Sequence, residues 1–131
     1  LAVIRRMARD LDLTRPAAAA IIGVPTVREA DGLARSSRNA YLTPQQRAAA
    51  PELPAAMRAA LEAIGQGSSV AGAIEALSQR LLAAGFASID YAELRDAETL
   101  EQLTAPTGRP ARLLVAARIG KARLIDNMPL G

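Results

Sequence analysis

Three consecutive residues carry the densest chemistry in this chain: Ser36, Ser37 and Arg38 set two hydroxyls, their backbone amides and a guanidinium side by side. Such a set suits a phosphate chain better than an apolar ligand, because amides and hydroxyls donate to phosphate oxygens and a guanidinium fork holds two of them at once. The three lie in a polar stretch, residues 25–42, with Arg28, Glu29, Asp31 and Arg35 close by. A blander arrangement uses the same residues: a serine caps a turn, and Arg38 pairs with Glu29 or Asp31 across the loop. Chemistry alone weighs the two evenly, since S-S-R is a short signal. Arg28, Glu29 and Asp31 fit a salt bridge at a hinge between domains better than direct catalysis. Asp126 and Asn127 invite a metal reading, but one carboxylate and one amide do not make a cage, so no metal site is assigned to protein ligands.

The elements that must position this stretch are legible from periodicity and punctuation. Ile4, Met7, Ala8 and Leu11 recur at helical spacing, which predicts an amphipathic helix over residues 1 to about 13 that packs its apolar side on a sheet. Residues 19–24 form a short apolar run of the kind shown by a buried parallel strand. Thr43, Pro44 and Gln46 are three agreeing signals for a helix that starts at Pro44. Pro51 and Pro54 predict a stop near Ala50 and a second helix from about Pro54 to Ile64. Ser68 or Ser69 then caps a further helix that buries Val70, Ile74, Leu77 and Leu81 and ends at Gly85. The remainder reads as β structure: alternation around Ile89 and Tyr91, a helical turn from Asp96 to Leu103, and strands over 113–118 and 123–127 joined at Gly120-Lys121. The expected fold class is α+β, with a three-stranded antiparallel sheet beside helices.

Composition narrows the function. A chain of 131 residues suits one domain and can bury roughly two-thirds of its unfolded surface. No apolar run approaches the ~20 residues that span a bilayer, and no leader pattern is visible, so a soluble, cytoplasmic chain with no membrane partner is expected. With neither cysteine nor histidine, the chain offers no disulfide framework, zinc site or imidazole base. The net charge of +3 comes almost wholly from arginines interleaved with acids, and aromatics are 2% of the chain, so a nucleic-acid partner is not expected.

From Val24 to Leu42 the chain resembles the pantothenate synthetase (pantoate–β-alanine ligase) family, whose pattern there is V-P-T-x-R-E-x-D-G-L-A-M-S-S-R-N-x-Y-L, except that Arg35 stands where the family has Met. Ile89–Asp96 is similar to the family's V-D-Y-x-E-L-R-D, and Arg112–Gly120 with Arg123–Asn127 to its closing hairpin. The resemblance covers the whole chain but only the back half of the family's enzyme, without its H-x-G-H-type and K-D-x-Q-Q motifs. It implies the last α/β unit of a Rossmann-like nucleotide-binding domain (1–26), a hinge and ATP-phosphate loop (27–42) and a carboxy-terminal lid (43–131). It implies an ATP-dependent ligase joining pantoate to β-alanine through a pantoyl adenylate, on the route to coenzyme A, with Mg²⁺ held mainly by ATP phosphates and a homodimeric intact enzyme. Carried over residue by residue, ATP contacts fall on Val27 (through its backbone), Arg35, Ser36, Ser37 and Arg38, with Arg38, Ser36 and Ser37 serving adenylation. The isolated chain is then expected to be inactive. The alternative is a truncated, non-catalytic nucleotide- or protein-binding module of the same fold.

Overall fold

The structure, a computed structural model, describes residues 1–10 and 23–131. Its elements are helix α1 (Ala2–Asp10), a short 3₁₀ turn (Ser37–Tyr41), helices α2 (Pro44–Ala49), α3 (Glu52–Gly65) and α4 (Val70–Ala84), and strands β1 (Ser88–Asp96), β2 (Ala111–Ile119) and β3 (Ala122–Leu130). The three strands form one antiparallel meander in the order β1-β2-β3. Helices α3 and α4 pack on each other and on one face of it. Along β2 the residues Leu113, Val115, Ala117 and Ile119 alternate inward and share a core with Leu53, Met57, Leu77 and Leu81 from the helices. This is the expected α+β arrangement.

Local signals explain where the helices begin. The Thr43 hydroxyl accepts from the Gln46 amide and the Gln46 side chain accepts from the Thr43 amide, a reciprocal cap that satisfies two orphan donors. Ser69 caps α4 through the Gly72 amide, and Gly85, at φ 111°, ends it. Helix α3 departs from expectation by starting at Glu52 rather than Pro54. Pro54 falls in the first turn, where an amide hydrogen has no carbonyl to reach, so its absence costs nothing there.

One further expectation is shortened and one is corrected. The helical turn expected over 96–103 is present but shorter: the Leu100 amide donates to the Asp96 carbonyl at 3.0 Å, the Asp96 Oδ1 caps the turn by accepting from the Glu98 and Thr99 amides at 2.9 and 2.8 Å, and Leu100, at φ 63°, ends it. An aspartate that accepts from the second and third amides after it starts such a turn, and a left-handed residue stops it from continuing. The apolar side of α1 is not packed on a sheet, since Ile4 and Met7 remain 50% and 52% exposed. Of the expected apolar strand, residues 19–22 lie outside the described residues, as do residues 11–13 of the first helix, and Gly23 and Val24 are not in a strand.

Candidate functional site

The polar stretch folds as a small hairpin before it reaches the serines. Arg28 and Ala34 bridge antiparallel, the Glu29 amide donates to the Leu33 carbonyl at 2.7 Å, and the Arg35 amide donates to the Val27 carbonyl at 2.9 Å. Gly32 makes the turn at φ 92°, with the Arg58 guanidinium 3.1 Å from where a Cβ would stand. Leu33 is the hairpin's anchor in the hydrophobic core. Asp31 supports the turn by accepting from the Leu33 amide and from Arg47 Nη1 at 2.7 Å. These bonds, Arg47 first, hold the Asp31 carboxyl below the usual carboxylate range.

The strongest tie is Arg28. Its Nη1 and Nη2 donate to Asp126 Oδ2 and Oδ1 at 2.6 and 2.8 Å, and Nη1 also reaches the Gly32 carbonyl at 3.0 Å. The Asp126 side chain is 1% exposed and lies on the helix-facing side of β3, in line with Leu124 and Met128. The bond to Asp126 raises the Arg28 pKa against the opposing effect of burial. Removing one partner from such a buried pair costs roughly 3–5 kcal/mol, because the other charge is left uncompensated.

Beyond the hairpin, Ser36 adopts extended backbone and its Oγ accepts from the Arg38 amide at 3.2 Å, capping the 3₁₀ turn. Asn39 Nδ2 donates to the Ala34 carbonyl and closes the turn against the hairpin. The expected serine cap is therefore present. The alternative pairing of Arg38 with Glu29 or Asp31 is not: Glu29 takes Arg35 at 3.5 Å and Asp31 takes Arg47. Among the described residues the Arg38 side chain has no hydrogen-bond or ion-pair partner.

Ser36, Arg35 and Arg38 line a recess of about 230 Å³ against β3, whose Arg123 and Asp126 form the opposite wall. Strand β3 is the sheet's edge, so the recess opens where no further strand is paired among the described residues. Val27 and Ser37 fall outside that lining. The Val27 carbonyl is taken by the Arg35 amide, which leaves its N–H for any backbone contact. Arg123 is braced from the far edge of the sheet: its Nε and that of Arg118 grip Asp90 at 2.6 and 3.1 Å and keep that carboxyl below its ordinary range.

Sequence reading missed Asp126 as the partner of Arg28 and Arg123 as part of the wall. The first had a signal: a carboxylate at an inward position of an alternating strand demands a buried cation. Nothing local marked Arg123. Among the described residues no group of three or more potential acidic or histidine ligands could hold a metal ion.

A family model described as pantoate-beta-alanine ligase matches residues 1–129. A pantothenate synthetase of Novosphingobium aromaticivorans is 65% identical over 131 residues, covering all of this chain and 46% of that protein. A second, from Sphingopyxis alaskensis, is 53% identical and is covered to 45%. The crystal structure of pantothenate synthetase from Thermus thermophilus superposes with a TM-score of 0.82 at 48% identity, over 97% of this chain and 44% of that one. The chain thus spans about half the length of the curated relatives it matches.

Proposed function

We propose, from the premise that this chain belongs to the pantoate–β-alanine ligase family, that it is the phosphate-gripping lid half of an ATP-dependent ligase that condenses pantoate with β-alanine. Residues 1–26 would close the nucleotide-binding domain, 27–42 carry the hinge and phosphate loop, and 43–131 form the lid. The intact ligase would be a cytoplasmic homodimer, with pantoate and β-alanine held mainly outside this chain.

The observation that carries the reading is Arg38, a guanidinium with no partner among the described residues, beside Ser36 at the mouth of the recess. Forming an acyl adenylate builds negative charge on the α-phosphate and the departing pyrophosphate. A preorganised fork aimed at that charge stabilises it without reorganising at the moment of reaction. Ser36 accepts through its oxygen and so keeps its O–H free to donate. Ser37 would add its amide or hydroxyl from the same turn, Arg35 a second cation once freed from Glu29, and Val27 its N–H. Mg²⁺ would be carried by the phosphates and water. A non-catalytic binding module is not favoured, since the family model for the ligase matches residues 1–129 and a pantothenate synthetase is 65% identical over the whole chain.

The test is Arg38→Ala in the intact ligase, with pyrophosphate release as the readout. Release should fall by about 10²–10³-fold. A variant that releases pyrophosphate at the normal rate removes Arg38 from the mechanism.

A further inference from the structure

The 3₁₀ turn that carries Ser36–Arg38 lies beside β3 and is followed by Leu42 packed against the core, but among the described residues it makes no hydrogen bond to the sheet. Its residues are exposed or half-exposed, and its bonds run to Ala34 and to itself. What fixes its place is the hairpin before it; Leu33 anchors that hairpin in the core, and the Arg28–Asp126 fork is the polar tie that joins it to β3 and sets its orientation there. The Asp31–Arg47 pair is exposed and secures the hairpin only to α2. On the other side, residues 23–27 are exposed and without regular structure. Asp126 itself lines the recess beside Ser36 and Arg38.

We propose that Arg28 and Asp126 are positioning residues that lock the Ser36–Arg38 turn onto the edge of β3, so that the turn moves with the sheet and any swing relative to the preceding segment takes place in residues 23–27. The proposal rests on the reading of this turn as a phosphate grip. It also goes beyond that reading, because it assigns a functional part to a pair that need touch no substrate. The fork is well matched to the task. Two parallel charge-assisted bonds fix orientation as well as distance, and the third bond, to the Gly32 carbonyl, transmits that orientation to the hairpin turn.

Charge and position make opposite predictions for Asp126→Asn, and this makes the proposal testable. The change removes a negative charge from the wall of the recess and frees the positive charge of Arg28, so electrostatics alone would tighten anion binding. Loss of position would weaken it. The experiment follows the amides of this 131-residue chain by NMR, measuring hydrogen exchange and titrating with inorganic pyrophosphate. In Asp126→Asn, exchange at Glu29 and Arg35, the amides that close the hairpin, should quicken about a hundredfold, while the middle of α3 and α4 keeps its protection. The pyrophosphate concentration that half-saturates the shifts of Ser36–Arg38 should rise about tenfold. Arg28→Lys, which keeps the charge but not the fork, should fall between the two.

Unchanged exchange in the hairpin, an equal loss of protection throughout the chain, or pyrophosphate binding as tight as or tighter than wild type would each overturn the proposal. If the wild-type turn ignores pyrophosphate altogether, the phosphate-grip reading fails on its own, and the exchange data alone then decide whether the lock exists.

Discussion

Arg38 and Asp96 show how differently two charged side chains can serve. Arg38 makes no side-chain bond among the described residues, so its loss should leave folding almost untouched. Arg38→Ala is expected to hold within about 0.5 kcal/mol of wild type in urea unfolding, even where the intact ligase loses its activity. Asp96 is the reverse case. Amide bonds from Thr99 first and Glu98 second, together with Arg109 Nη2 at 2.7 Å, keep its carboxyl ionised below the ordinary range. That stabilisation is present above the unfolded carboxylate pKa of about 3.9 and is lost as pH falls through the lower folded value. Asp96→Asn should therefore melt below wild type at pH 7, and the gap in Tm should close as the pH is lowered below about 4. A constant gap across that range would contradict it. At this scale the sequence exposed residue types but not partners. Glu29 and Asp31 were candidate partners for Arg38, yet Arg35 and Arg47 reach them instead, because the hairpin and the start of α2 bring those two closer.

Elements were legible where a few neighbouring residues decide them. The Thr43–Gln46 cap, the Ser69 cap and the left-handed Gly85 all stand where local chemistry puts them. The three strands are also as expected, each longer by a few residues because pairing with a neighbour extends a strand past its most apolar part. Where a tertiary partner decides, the sequence was silent. The β2–β3 turn shows both sides: its place at Gly120-Lys121 was legible, its contact with Gln46 was not. Gly120 has φ 55°, and a Cβ there would run into the side chain of Gln46, the same residue that completes the cap of α2. Gly120→Ala would thus strain the turn and push Gln46 from its cap, with an expected loss of about 1–2 kcal/mol from the left-handed backbone alone. Thr43→Ala should cost about 1 kcal/mol by removing the other half of the cap. The loss in the double variant should differ from the sum of the two single losses, since both changes act on Gln46. Strict additivity in chemical denaturation would show that the turn and the cap are independent.

At the scale of the whole molecule, one side is unfinished. Leu1, Val3, Ile4, Met7 and Val24 are all half-exposed or more, and α1 presents apolar residues to solvent. The family pattern made the chain recognisable at once, through motifs that run along it. What no pattern along the chain could reveal is a bond between Arg28 and Asp126, 98 residues apart. The chain has no histidine and covers only 46% of its Novosphingobium relative, so the purified 131-residue protein should release no AMP from ATP, pantoate and β-alanine. Turnover-dependent AMP above the no-enzyme rate would refute this.

The same bond also orders events in time. During synthesis Arg28 leaves the ribosome well before Asp126, and at about 5–20 residues per second the wait is roughly 5–20 s. Helices α3 and α4 have local contacts and can form in that interval, but the arginine has no acid to hold until β3 emerges. The turn proposed to grip phosphate is therefore translated before the strand that locks it and is finished last, so a nascent chain stalled before Asp126 would carry a nearly complete set of helices and an unlocked loop.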